Sequence, residues 1–207
     1  LLIKLLKYGS PFIISGFGFV ILNSSDKYFL KKFTTLDQVG IYSVGYTLGT
    51  GVMLIIGAFQ NAWPQLMFDY RERSDAGEFY GKVLTYYVGI MGIIWLGIAL
   101  FSKEIVMLMT PEKFWDAYRV IPLISLAFIF TGAASILSSG IYTRDKTYNE
   151  LIINPIAAGL CLGINFIFIS KWGMIGAAWA TLISFVGSFF LYSFRSAKYL
   201  NIVVQWK

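Results

Sequence analysis

The chain has 207 residues, of which 57% are hydrophobic and 14% charged, with a mean hydropathy of +0.67 and a formal net charge of +6. That is the composition of an integral membrane protein whose basic loops face anionic lipid or a phosphorylated substrate. No histidine and one cysteine, Cys161, exclude an internal disulfide, a His/Cys metal site and Ser–His–Asp or Cys–His catalysis within this chain. The aromatics lie inside or beside apolar runs, not among basic clusters, which argues against nucleic acid.

The chain opens at Leu1 without a signal-peptide pattern, and a start without Met permits a truncated piece. The first expected span is 8–29. Ser10 suits an N-cap and Pro11 the first turn. Asn23, Asp26 and Lys27 follow helical spacing on one face near its far end. A charge at mid-bilayer costs about 2.5–3.5 kcal/mol or more. The pattern therefore places Asp26 and Lys27 at the interface, or at the polar mouth of a cavity.

The second expected span, 39–66, contains no formal charge and is long enough for a hydrocarbon core of about 30 Å. Gly45 and Gly49 form a G-x-x-x-G pair, which in lipid marks close approach of another helix. Gln60, Asn61, Trp63, Pro64 and Gln65 make a polar, aromatic exit. The segment from Asp69 to Asp75 carries both signs and reads as a solvated connector.

The third expected span is 79–101, with Thr85, Gly89 and Gly92 as its small-residue side and Trp95 toward lipid or the interface. Ser102 can then cap a short helix ended by Thr110 and Pro111, too short to cross and suited to the interface. Phe114, Trp115 and Tyr118 fall at headgroup level, and Asp116 and Arg119 are spaced to pair.

The fourth expected span, 119–142, has Pro122 in its first turn and a hydroxyl stripe through Thr131, Ser135 and Ser138. Such hydroxyls either bond back to helix carbonyls or line a cavity. After the tight loop with Arg144 comes the fifth span, 148–169. Asn154, Ala158, Cys161 and Asn165 share one of its faces, and two amides on one face need bundle partners or cavity water. Cys161 reads as a small buried thiol, and Gly159 and Gly163 repeat the G-x-x-x-G spacing. Ser170 and Lys171 make a minimal turn into the sixth span, 172–194. Gly173, Ala177, Ala180, Ser184 and Gly187 there form a small-residue stripe. Residues 201–207 are a short tail.

The reading is thus all-α: a polytopic six-helix bundle over residues 1–200, with one interfacial helix between spans three and four. The side bearing the N-terminus, the loop with Arg71 and Arg73, the loop with Arg144 and Lys146, and the tail carries more Lys and Arg than the other. The positive-inside rule puts it in the cytoplasm, so both ends are expected inside. No Gly-rich phosphate loop with Lys-Ser/Thr is present, and the acids do not converge inside the membrane, so an enzyme is not expected.

Several signals then fall in a familiar order. Gly9, Ser10 and Pro11 open one span, and Asp26 to Leu30 close it. Val39 to Tyr46 begin the next, which ends near Pro64. Asn165 follows later, then Trp172 to Thr181. Together they resemble the C-terminal half of polysaccharide biosynthesis flippases of the multidrug/oligosaccharidyl-lipid/polysaccharide exporter superfamily. The resemblance implies one six-helix lobe of a two-lobe transporter, with a missing N-terminal lobe as partner. It implies export of undecaprenyl-diphosphate-linked O-antigen or capsule units across a bacterial inner membrane, by alternating access driven by an ion gradient or the membrane potential. Lipopolysaccharide synthesis and a polysaccharide polymerase are the implied context. It implies no cofactor and no metal. Family motifs here concern packing, so the substrate-cavity candidates rest on chemistry: Asn23, Asp26, Lys27, Thr131, Ser135, Arg119, Arg144, Asn154 and Asn165. The corresponding lobe of a peptidoglycan-precursor flippase or a multidrug/cation antiporter is the alternative, and a membrane glycan enzyme is less favoured.

Overall fold

The structure is a computed structural model that describes residues 24–144 and 147–199. Every regular element among them is helical. We label as α1 the helical residues 24–33. Then follow α2 (Leu36–Gly49), a 3-10 turn (Thr50–Val52), α3 (Met53–Tyr70), α4 (Ala76–Leu100) and the short α5 (Ser102–Met109). A 3-10 segment (Glu112–Arg119) leads into α6 (Ile121–Leu137) and α7 (Ser139–Tyr142), and α8 covers Glu150–Ser196. Among the described residues, four helical stretches are long and apolar enough to cross a membrane: Leu36–Tyr70, Ala76–Leu100, Ile121–Tyr142 and Ile152–Ser196.

That count differs from the expected six for two reasons. Most of the expected first span lies outside the described residues, as do Asn23, the cap at Ser10 and the 201–207 tail. The expected fifth and sixth spans form one continuous element of 47 residues, α8. It is not straight. Gly173 has φ 55° and ψ −131°, a left-handed conformation that only glycine adopts without strain. The chain reverses there, because a Cβ on Gly176 would lie 2.1 Å from the Phe168 carbonyl oxygen. Pairings far from the turn continue the reversal. Tyr192 donates to Asn154 at 3.4 Å, and the Tyr148 and Tyr199 hydroxyls lie 2.8 Å apart. So α8 is a helical hairpin, with arms 150–172 and 174–196. The expected turn at Ser170 and Lys171 is displaced to Gly173, where the backbone can reverse.

α6 is the central helix. Its apolar window is 67% buried, against 17% for α4, and it packs on α2, α3, α4 and α8. Small residues let α2 approach it. A Cβ on Gly45 would meet the Ala117 carbonyl oxygen at 2.7 Å, and one on Gly49 would meet Ile124 at 3.0 Å. The first G-x-x-x-G pair is therefore a backbone contact with the 3-10 segment and α6. Gly89 and Gly92 of α4 have no described atom within 4 Å of that position, so the expected small-residue side of α4 makes no such contact among the described residues. What holds α4 is aromatic. Tyr87 donates to the Ile129 carbonyl at 3.1 Å and covers Gly132. Trp95, expected toward lipid or the interface, is half-buried and donates its Nε1 hydrogen to the Pro122 carbonyl at 2.9 Å.

Smaller corrections follow the same logic of local satisfaction. The Ser102 hydroxyl does not cap α5 but donates back to Ala99 at 3.0 Å. The cap the sequence hid is Thr35, whose hydroxyl accepts from the Gln38 amide at 3.4 Å and starts α2 three residues before the expected 39. A 3-10 turn at Thr50–Val52 links α2 to α3 within the one stretch Leu36–Tyr70, which covers the expected second span.

Candidate functional site

Three elements bring their polar residues to one place. α1 continues to residue 33, four beyond the expected 29. Asp26 therefore sits about 10 Å from that end at 1.5 Å per residue. It is 1% exposed. The Tyr42 hydroxyl of α2 donates to its Oδ2, and the Lys27 amide donates to its Oδ1 at 2.7 Å. Tyr42 is itself fully buried and also meets Thr181 on the second arm of α8.

Next to Asp26, Ser25 faces the first arm of α8. Asn165, 0% exposed, donates its amide to Ser25 Oγ at 2.9 Å and lies 3.2 Å from Cys161 Sγ. Cys161 is buried, as its sequence context implied. The Asn165 carbonyl oxygen has no hydrogen-bond partner among the described residues. An orphaned buried acceptor is costly, by about 1–3 kcal/mol. Beside it lies a carboxylate in a region with little access to water, which needs a compensating proton or cation. The local donors are a carboxylate, an amide oxygen and hydroxyls. That set suits a proton or a hard cation and not a soft metal.

Lys27 occupies the opposite side of the same turn. It is exposed, and its ammonium lies 4.7 Å from the centre of the Tyr46 ring. Tyr46 stacks at a tilt on Tyr42 at 5.8 Å and edge-on against Phe128 of α6 at 5.9 Å. One turn beyond Phe128 comes the hydroxyl stripe. Ser135 and Ser138 donate back along α6, to Gly132 at 2.6 Å and to Ser135 at 2.8 Å. The buried Thr131 hydroxyl has no partner among the described residues.

The remaining candidates do not join this site. Arg119 is exposed and pairs with Asp116 at 3.2 Å, as spacing suggested. Arg144 is exposed just beyond the opposite end of α6 and α7. Ile121–Tyr142 is 22 residues long, about 33 Å at 1.5 Å per residue, so the two arginines cannot meet one phosphate on this chain. Asn154 sits between the arms of α8 near Tyr192, remote from Asn165 by three helical turns. The sequence reading missed Tyr42, Tyr46, Ser25 and Thr181. The signal available was the Tyr42/Tyr46 pair at i, i+4, two polar rings on one face of an otherwise apolar helix.

No family model matches the chain, and no solved structure matches it. Among curated proteins it is similar to the probable low-salt glycan biosynthesis flippase Agl15 of Haloferax volcanii, 22% identical over 206 residues. The similarity covers 98% of this chain and 44% of that relative, so the chain spans less than half of the relative's length.

Proposed function

We propose that this chain is one six-span lobe of a flippase that carries lipid-linked oligosaccharide diphosphate across the membrane. The partner lobe precedes it, both ends of this lobe face the cytoplasm, and transport runs from the inner to the outer leaflet by alternating access. No covalent bond of the substrate is made or broken. The reading extends to undecaprenyl-diphosphate carriers in a bacterial inner membrane and to O-antigen or capsule units, on the order of motifs described above.

The observation that carries the proposal is the Asp26–Lys27 turn, in a chain similar along 98% of its length to a glycan flippase. Lys27 offers an exposed positive charge on a polar face, as an anionic diphosphate requires. Asp26, directly behind it, offers a buried group that exchanges a proton or cation. The Lys27 backbone amide donates to the Asp26 carboxylate, so a change in the charge of that carboxylate acts on the turn that carries the Lys27 ammonium. That is a physical link between a gradient and a substrate charge.

The buried acid also supports a second reading, the corresponding lobe of a cation-coupled multidrug antiporter. Such a carrier needs a membrane-embedded acid, which Asp26 provides. The two separate on substrate. The intact protein is reconstituted in vesicles, and movement of a polyprenyl-diphosphate oligosaccharide is compared with efflux of a lipophilic cationic dye. Glycan-lipid movement lost in Lys27→Ala supports the flippase. Dye efflux without glycan-lipid movement overturns it in favour of the antiporter.

A further inference from the structure

Outside the Asp26 cluster, a groove of about 290 Å³ lies between α2 and the end of α5. Ser43, Val44, Thr47, Leu48, Met109 and Thr110 line it, and its wall is almost wholly apolar. The threonines do not change that. Thr47 donates back to the Ser43 carbonyl at 2.9 Å, and Thr110 to the Val106 carbonyl at 2.8 Å. Both hydroxyl hydrogens are spent inside their own helices. The apolar surface continues onto α5, where Leu108 is 87% and Met109 65% exposed. Such a wall fits an alkyl chain, not a sugar or a phosphate.

An alkyl chain gains little from an apolar wall when it can stay in lipid. What singles this groove out is its neighbour. The Lys27 ammonium stands over the Tyr46 ring, and Tyr46 lies on the same two turns of α2 as the four residues that line the groove. At about 100° per residue, Ser43 is about 60° and Thr47 about 100° around the helix from Tyr46. Charge and groove are therefore at one depth, separated by about the 10 Å width of a helix. Around α2 the surface passes from a cation to hydroxyl-bearing residues and then to an apolar channel. A lipid with a phosphate head presents its groups in the same order, from charge to chain.

We infer that the α2–α5 groove receives the first isoprene units of the transported lipid while Lys27 holds its diphosphate. This rests on the flippase reading and adds to it where the chain goes. The intact protein in vesicles is photolabelled with two lipids, each carrying a diazirine on its chain close to the phosphate. One is a polyprenyl-diphosphate disaccharide and the other is phosphatidylglycerol. Mass spectrometry locates the labelled residues. The polyprenyl probe labels residues 43–48 and 107–110, and phosphatidylglycerol labels them weakly. In Lys27→Ala the polyprenyl label there falls roughly tenfold or more, the effect of losing one hydrogen bond between charged groups. Met109→Trp, at an exposed position, fills the groove and removes the label at matched abundance. Equal labelling by both lipids, or no loss in Lys27→Ala, makes the groove an ordinary bilayer contact and overturns the inference. No label from either lipid overturns it too, because the groove is then covered by protein. The flippase reading has its own readout in the same vesicles, and it falls if the wild-type protein moves no glycan lipid.

Discussion

Gly45–Gly49 and Gly159–Gly163 are the same motif with opposite fates. In the first pair, an added Cβ would run into the Ala117 carbonyl oxygen and Ile124. In the second, no described atom lies within 4 Å of that position at either residue. The neighbours agree with this. Gly45 and Gly49 are buried, whereas Leu160 and Ile156 beside the second pair are 48% and 46% exposed. The spacing removes side chains from one stripe of a helix and so permits close approach. Which stripe acquires a neighbour is set by where the other helices lie. In lipid there is little hydrophobic drive for helices to meet, so the contact itself has to supply the attraction.

That contrast can be broken by substitution, and the expected effects span a wide range. The severest belongs to Gly176, which crosses the Phe168 carbonyl just past the α8 reversal. Gly176→Val prevents the two arms from closing, and membrane abundance of the intact protein should fall to background on an immunoblot. Gly45→Leu comes next. Overpacking typically costs about 1–3 kcal/mol, and here the obstruction is backbone and cannot rotate aside. A marked drop in melting temperature in detergent is expected, and an unchanged one would show that α2 does not seat on α6 as described. Asn165→Leu removes the donor to Ser25 and also the orphaned oxygen, so its stability cost is partly offset and stays near 1 kcal/mol. Its effect should appear instead in transport, which is measured at matched abundance. Gly159→Leu closes the series. Exposed substitutions usually stay within about 0.5 kcal/mol, so abundance and melting should match wild type. A loss as large as that of Gly45→Leu would place a packed helix on this face and make the two motifs alike.

Much of the fold can be read along the chain. Apolar length and the charged connectors mark the stretches Leu36–Tyr70, Ala76–Leu100 and Ile121–Tyr142, and the outer limits of the two arms of α8, to within a few residues, because a helix in lipid must satisfy its own backbone. The Asp116–Arg119 pair and the back-bonded serines of α6 are equally local, being fixed by helical spacing. The turn at Gly173 was misplaced because the sequence offers a charged Ser-Lys step just before it. The reversal depends instead on a positive φ that only the glycine tolerates, and on the absence of a side chain at Gly176.

Of the candidate site, the residue types were legible and their company was not. Composition and spacing single out Asp26, Lys27, Asn165 and Thr131 as polar groups in apolar runs, because each is expensive there. Only the tertiary arrangement shows that Asp26 is roofed by Tyr42 from α2, and that Asn165 reaches Ser25 across 140 residues of chain. It also disperses others that the sequence allowed together, Arg119 and Arg144 above all, by standing α6 between them. Helical periodicity is a property of neighbours along the chain, so it determines which residues share a face. Which faces meet depends on how the hairpin of α8, the glycine seam of α2 and the aromatic clamps of α4 pack around α6. That is a competition among long-range contacts that no local pattern encodes.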